Sequence, residues 1–485
     1  MLKYHLKREC HQRLQNTFGL TEYRPGQKAA VHTLLSGRDL MCIFPTGSGK
    51  SLCWQIPAAV HQGITLVVSP LIALMRDQLM HLQAQGIPAV AIDSLLSSQE
   101  RDFAIRQIQD GTARIIFVSP ERLEQPAFIK LCRDITPWLV VVDEAHCVIQ
   151  WGEEFRPAYN RIAEFIHLLP KRPVVCALTA TADKAMQKAI AASLGMRFEK
   201  RILLPTIREN LRYEVRTTLH RQRELLRLLE NHPCKTVVFC RTRERTERLS
   251  SALLERGIHA SYYHAGLERQ ERLQVQMAFQ EGSLQVLCAT TAFGMGIDLP
   301  DIRRVIHDEM PDQLIDYVQQ TGRGGRDGLP TDCILFFEPN DLLKKVKSEA
   351  LTKERFRRRP IRRILYMNKY WKSIRQMLRI MFNSICIPQA IAAAFGCRIA
   401  SCGQCSACRK GKMLEHVPSF AHMKQWQIRY WLLSWQRDAL GAAMNINPGK
   451  LLPDQAMYAA AKYLALPPNV AVPKEIERLV AYFRK

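Results

Sequence analysis

The chain has no apolar run long enough to cross a bilayer. Its longest ones, such as Ile64–Val68 and Trp138–Val142, are strand-length, far short of the roughly 20 residues that a membrane helix needs. The first ten residues, MLKYHLKREC, are polar and lack the apolar centre of a signal peptide. These absences argue against an integral membrane protein and against a secreted one. Low-complexity tracts and fixed short repeats are missing too. The 47 % of hydrophobic residues supply sizeable cores and exclude a disordered chain. Acidic residues are in short supply, 45 Asp+Glu against 69 Lys+Arg, which leaves a net charge of +24. That imbalance points to a polyanion partner, because basic surfaces gain affinity for nucleic-acid phosphates by releasing counterions. Cysteine, in contrast, is plentiful. Fifteen thiols without an export signal read as reduced groups or metal ligands in a cytoplasmic protein, not as a disulfide framework.

At 485 residues the length suggests about three domains. Short apolar runs recur between helical stretches: Leu40–Phe44, Ile64–Val68, Arg114–Val118, Leu139–Val142 and Val174–Leu178, then Thr236–Cys240, Ala260–Tyr263, Gln285–Cys288, Arg304–His307 and Cys333–Phe337. Runs that are apolar almost throughout fit strands covered on both faces. Their alternation with helices predicts an α/β class with two parallel sheets, split at a short link near Pro205–Asn210. After about Asn340 the pattern changes. Residues 341–375 carry thirteen Lys+Arg and three acids, with apolar residues at roughly helical spacing. A cysteine cluster and a helical tail follow. The expected domains are 1–205, 206–340, a basic helical metal-binding domain at 341–415, and the tail at 416–485.

The strand at 40–44 runs into Pro45-Thr46-Gly47-Ser48-Gly49-Lys50-Ser51 and then a helix. Glycines at these positions let backbone N–H groups turn around phosphate oxygens, Lys50 reaches the β- and γ-phosphates, and the Ser51 hydroxyl ligates Mg²⁺. The strict pattern has Gly or Ala where Phe44 stands. Leu139–Val142 ends in Asp143-Glu144-Ala145-His146. By itself an acid pair there reads as a helix cap. With a phosphate loop upstream, Asp143 reads as a Mg²⁺ holder and Glu144 as the base that orients and deprotonates water. In the second unit, Gln320-Thr321-Gly322-Arg323-Gly324-Gly325-Arg326-Asp327 puts two arginines on a glycine-rich turn, suited to reach a γ-phosphate. Cys402-Gly403-Gln404-Cys405-Ser406-Ala407-Cys408 spaces three thiols for one zinc ion, which takes four ligands. A ferredoxin-type cluster needs a further Cys where Lys412 stands.

Together these motifs resemble the RecQ family of superfamily 2 helicases over residues 15–410. The resemblance implies two RecA-like domains in tandem, ATP between them, and 3′→5′ movement on single-stranded DNA with unwinding of duplex junctions, in DNA repair or recombination. It implies an adenine-reading segment in which Gln27 bonds the adenine edge and Arg24 lies against its face. The family usually has an aromatic at the position of Leu20. Gln150-Trp151-Gly152-Glu153-Glu154-Phe155-Arg156 resembles the family's aromatic-rich loop, with Trp151 and Phe155 stacking bases and Arg156 pairing with phosphate. The family commonly has His and Asp where Glu153 and Glu154 stand. Its layout also implies Cys386 as the fourth zinc ligand, with Cys397 as the rival. The tail carries no winged-helix pattern, and Leu432–Asn469 faintly resembles part of an HRDC domain. The expected set is therefore ATP held by Arg24, Gln27, Thr46, Gly47, Ser48, Gly49, Lys50 and Ser51, with Mg²⁺ at Asp143, zinc, and DNA. Alternatives are a translocase or annealing ATPase without strong unwinding, and a zinc-containing nucleic-acid-binding protein with a vestigial nucleotide site.

Overall fold

Strands that are apolar on both faces must be sandwiched between helices, and the chain satisfies that demand twice. A computed structural model describes residues 4–410 except 71, 94–95, 151–158, 160, 206, 219–220, 294–298, 339–340, 342–369, 371, 375 and 382–384. The first sheet comprises β1 (Leu40–Ile43), β2 (Thr65–Val68), β3 (Ala89–Ile92), β4 (Ile115–Val118), β5 (Leu139–Val142), β6 (Val174–Thr179) and β7 (Lys200–Leu203). Their order is β3-β4-β2-β5-β6-β1-β7, and every pairing is parallel. The second comprises β8 (Leu211–Thr217), β9 (Thr236–Phe239), β10 (Ala260–Tyr263), β11 (Val286–Ala289), β12 (Arg304–His307) and β13 (Thr331–Phe337). Its order is β10-β11-β9-β12-β13-β8, again all parallel. These are two RecA-like units in tandem, as the sequence predicts.

Opposite faces of the first sheet feed separate cores. Met41, Ile43, Val140 and Val142 pack toward Phe165, while Leu40, Cys42, Leu139 and Val141 pack toward Trp54 and Phe117. Burying such a side chain contributes roughly 1.5–3 kcal/mol, so the alternating residues of one strand hold helices on both sides. All the strands are parallel, so the loops after β1, β5 and β6 leave by one edge. That edge is where ligands bind open α/β sheets.

Three strands go beyond those read from the sequence, and all three are at sheet edges: β3, β7 and β8. At β7 and β8 an edge position, with one neighbour and less cover, does not require an apolar run, whereas Ala89–Ile92 of β3 is apolar and buried throughout. In β7, Lys200–Leu203 is only partly buried, and β8 alternates charged with apolar residues.

Beyond the second sheet, helix Ile387–Ala394 starts at Cys386 with Pro388 in its first turn, and helix Ser406–Lys410 follows. Both pack on β8 in one core that joins Leu211, Tyr213 and Val215 to Ile374, Phe395 and Cys405. Ser406 Oγ accepts a hydrogen bond from the Val215 N–H at 3.1 Å, so the cysteine-bearing segment covers an otherwise open strand edge. The predicted basic stretch lies mostly, and the tail at 416–485 wholly, outside the described residues. No helix among the described residues is long and apolar enough to cross a membrane.

Candidate active site between the two sheets

The loop after β1 turns on Gly47 (φ +75°) and Gly49 (φ +76°) before helix Leu52–Val60 begins. At Gly49 a side chain is excluded twice over. The backbone is left-handed, and a Cβ there would stand 2.7 Å from Gln27 Nε2. Gln27 Nε2 donates to the Gly49 carbonyl at 2.9 Å and to that of Ser48 at 3.3 Å, and its Oε1 accepts from the Arg24 N–H at 2.9 Å. Arg24 Nη1 donates to the Gly47 carbonyl at 3.0 Å. Arg24 and Gln27 thus brace the loop from behind its carbonyls while lining the same cleft.

β5 delivers Asp143 and Glu144 to that cleft. Asp143 Oδ1 accepts from the Glu144 N–H at 2.9 Å, and Oδ2 accepts from Gln78 Nε2 at 3.4 Å. Glu144 is one of three non-glycine residues with positive φ among the described residues, +47°, a strained conformation that concentrates at functional sites. Its Oε1 lies 3.9 Å from Lys50 Nζ and its Oε2 lies 3.2 Å from His146 Nδ1. Burial opposes the Glu144 charge, but Lys50, His146 and Arg323 outweigh it and hold the carboxyl well below its ordinary range. Asp143 goes the other way, raised by burial and by the Glu144 charge, with Lys50 opposing. For His146, burial works against the imidazolium, yet hydrogen bonds to Cys147 and Glu144 prevail and raise it to about 10.

The second unit closes the other wall. Helix Leu314–Thr321 leads into the turn that carries Arg323 and Arg326. Both line one cleft of about 1080 Å³ together with Lys50, Ser51, Asp143 and Glu144. Direct bonds cross between the units. Thr46 Oγ1 donates to the Gly322 carbonyl at 2.9 Å, and the Gln319 amide lies 3.1 Å from His146 Nε2 and 3.5 Å from Thr181 Oγ1. With His146 protonated, the Gln319 amide presents its oxygen to that nitrogen, an equivalent placement of the same group. Burial and the neighbouring Arg326 work against the Arg323 charge, and Glu144 supports it. Lys50 Nζ and Arg323 Nε are buried without a hydrogen-bond partner among the described residues. Crowded cations with unused donors fit a polyanion such as a triphosphate. A buried pair of adjacent carboxylates fits a divalent cation.

Cys386, Cys402, Cys405 and Cys408 converge with their sulfurs within 4.8 Å of one another. Cys386 Sγ accepts from the Cys402 N–H at 3.3 Å, Cys402 Sγ from that of Cys405 at 3.3 Å, and Cys405 Sγ from that of Ile387 at 3.4 Å. Backbone donors aimed at sulfurs favour thiolates, and four thiolates at this spacing are compatible with tetrahedral zinc. The rival Cys397 thiol turns away, to the Leu204 carbonyl at 3.9 Å. Trp151, Phe155 and Arg156 lie outside the described residues.

Two family models match the chain: the DEAD/DEAH box helicase over residues 24–189 and the helicase conserved C-terminal domain over 220–328. The ATP-dependent DNA helicase RecQ of Bacillus subtilis is 35 % identical over 414 residues, covering 84 % of this chain and 68 % of that protein. The chain belongs to the RecQ family of helicases. Pasteurella multocida RecQ is 39 % identical over 337 residues, 69 % of this chain and 53 % of its own length. The chain thus spans about half the length of that RecQ relative. Among solved structures, Saccharomyces cerevisiae Dbp5 bound to RNA and ADP BeF3 matches with TM-score 0.56 at 18 % identity, covering 70 % of this chain and 90 % of that one. Mycobacterium smegmatis Lhr bound to ssDNA and AMP-PNP matches with TM-score 0.55 at 22 % identity, covering 71 % of this chain and 49 % of that one. At such identities the likeness is one of fold.

Sequence reasoning missed two features of this RecQ-family site. Gln319 stands one residue before the segment singled out above, and only the facing of the two units reveals its bond to His146. Arg208 and Asn210 lie in the link between the sheets, where nothing in the pattern marks them.

Proposed function

We propose that the chain is an ATP-dependent DNA helicase that translocates 3′→5′ on single-stranded DNA and separates duplex junctions, in DNA repair or recombination. One observation carries this reading: Lys50, Asp143 and Glu144 of one unit and Arg323 and Arg326 of the other line a single cleft. A site divided in this way changes shape when its halves move, so hydrolysis in it couples to relative motion of the units.

In this reading the glycines of 47–49 present backbone N–H groups to phosphate oxygens, and Lys50 neutralises charge on the β- and γ-groups. Ser51 and Asp143 would hold Mg²⁺, which would supply positive charge against the phosphates. Glu144, ionised at neutral pH, orients a water and takes its proton. Arg323 and Arg326 meet the charge that develops as the γ-phosphoryl leaves. Arg24 and Gln27 exchange their bonds to the loop carbonyls for contacts to adenine. Trp151, Phe155 and Arg156 take the DNA strand. Cys386, Cys402, Cys405 and Cys408 would hold zinc, which would fasten the segment that covers β8.

A strand-displacement assay tests this, using 3′- and 5′-tailed duplexes of DNA and of RNA. The expected result is ATP-dependent separation of 3′-tailed DNA, lost in K50A. DNA-stimulated hydrolysis without separation would leave a translocase, and no hydrolysis would leave a binding protein.

A further inference from the structure

Arg208 belongs to the stretch that connects β7 to β8 and so joins the two sheets. Its guanidinium is half-buried and committed to one target. Nη2 donates to the carbonyls of Gly322 at 2.7 Å and Gly324 at 2.6 Å, and Nη1 donates to that of Gly325 at 3.0 Å. Asn210 adds Nδ2 bonds to the carbonyls of Gly325 and Leu329, both at 2.8 Å. The Gly322 oxygen is shared, because Thr46 Oγ1 of the phosphate loop also donates to it at 2.9 Å. One carbonyl therefore joins the inter-sheet link, the arginine-bearing turn and the loop of the opposite unit.

Three carbonyls that turn toward one point repel one another unless a multi-donor cation sits there. A guanidinium meets that need with its planar fork, whereas an ammonium is a single point of charge. The turn's composition follows from the same packing. A side chain at 322 would strike Thr46 Oγ1, and one at 325 would strike Thr331 and Asn210. With its carbonyls gathered inward, the turn projects Arg323 and Arg326 into the cleft. Arg208 Nη1 also stands 3.8 Å from where a side chain at Gly47 would begin.

We propose that Arg208 is a positioning residue for hydrolysis: it gathers the 322–325 carbonyls into the arc that aims Arg323 and Arg326, and it ties that arc to the link between the units. This rests on the hydrolytic reading above. Arg208 acts through Arg323 and Arg326 and does not itself touch the reacting atoms. Its loss therefore lowers turnover while sparing nucleotide and DNA binding.

The test is a double-mutant cycle on the full chain with wild type, R208A, R323A and the double variant. For each, kcat and KM for ATP are measured at saturating single-stranded DNA, and DNA affinity is measured by fluorescence anisotropy. R208A is expected to lose about 10²-fold in kcat, the scale of an ångström-sized misplacement. Its KM for ATP stays within about 3-fold, and DNA affinity is unchanged. The double variant is expected to lose less than the product of the two single losses, because the part of the Arg208 effect that runs through Arg323 vanishes once that side chain is gone. Wild-type turnover in R208A, a raised KM with kcat intact, or losses that multiply in the double variant would each overturn the proposal. If R208A shows no cooperative thermal transition, R208K decides. It is expected to fall about 10-fold in kcat at unchanged KM, and wild-type kcat there overturns the role. If the wild type itself hydrolyses no ATP on DNA, the hydrolytic reading falls and this one with it. If the wild type is active and R208A matches it, only the positioning role falls.

Discussion

Glu144 combines a left-handed backbone, φ +47°, with a carboxylate set between Lys50 and His146. Such a conformation costs about 1–3 kcal/mol and persists because the loop after β5 is held by its neighbours. If that carboxylate serves as the base, Glu144→Gln keeps the shape and removes the proton acceptor. Turnover is expected to fall by about 10²–10⁴-fold while a fluorescent ATP analogue still binds, and hydrolysis at the wild-type rate would reject the assignment. Gly49 is a second residue-scale case. Gly49→Ala forces a Cβ against Gln27 in a left-handed conformation. A stability loss of about 1–3 kcal/mol in urea titration and weakened nucleotide binding are expected together, since the same atoms make the loop and its brace.

Among the elements, the cysteine-bearing segment and edge strand β8 depend on each other. Four sulfurs gather in one cluster, and helix Ser406–Lys410 begins with the hydroxyl that satisfies the Val215 N–H. Metal analysis is expected to find one zinc per chain, lost in C386S and retained in C397S, whose thiol faces the Leu204 carbonyl. Retention in C386S would exclude that ligand. Ser406→Ala leaves a buried N–H without its acceptor and is expected to cost about 1–3 kcal/mol, read as a lower midpoint in denaturant.

For the whole molecule, the two units meet across one cleft, on which the proposed function depends. The bridge from Gln319 to His146 and Thr181 runs between the wall of the first unit that carries Glu144 and the helix that leads into the arginine turn. Gln319→Ala is expected to weaken DNA stimulation of hydrolysis by about 10-fold, a coupling free energy of ordinary size, with nucleotide affinity kept. Equal stimulation in the variant would show that the bridge carries no coupling. The net charge of +24 belongs to this scale too. Affinity for single-stranded DNA is expected to fall linearly in log–log plots against salt, with a slope of about −0.7 per phosphate neutralised. A flat salt response would argue against phosphate contacts.

Much of this protein is written in local pattern. The central strands are legible because burial on both faces leaves only apolar residues in them. The turn at Gly47-Ser48-Gly49-Lys50-Ser51 is legible because its left-handed positions call for glycine, and the cysteine cluster because a CxxCxxC spacing brings its sulfurs close together. Local pattern does not carry contacts between residues far apart in sequence. Edge strands β7 and β8 escaped notice because an edge does not demand apolar residues, while in β3 two of the four residues are alanine, which is depleted in strands. The Thr46–Gly322 bond and the Gln319–His146 pair were equally hidden, since each joins residues far apart in the chain. Sequence alone therefore determined the central elements and the chemical groups they carry. Tertiary structure decided which groups face one another, because close approach between two sheets is set by their packing and leaves no periodic trace along the chain.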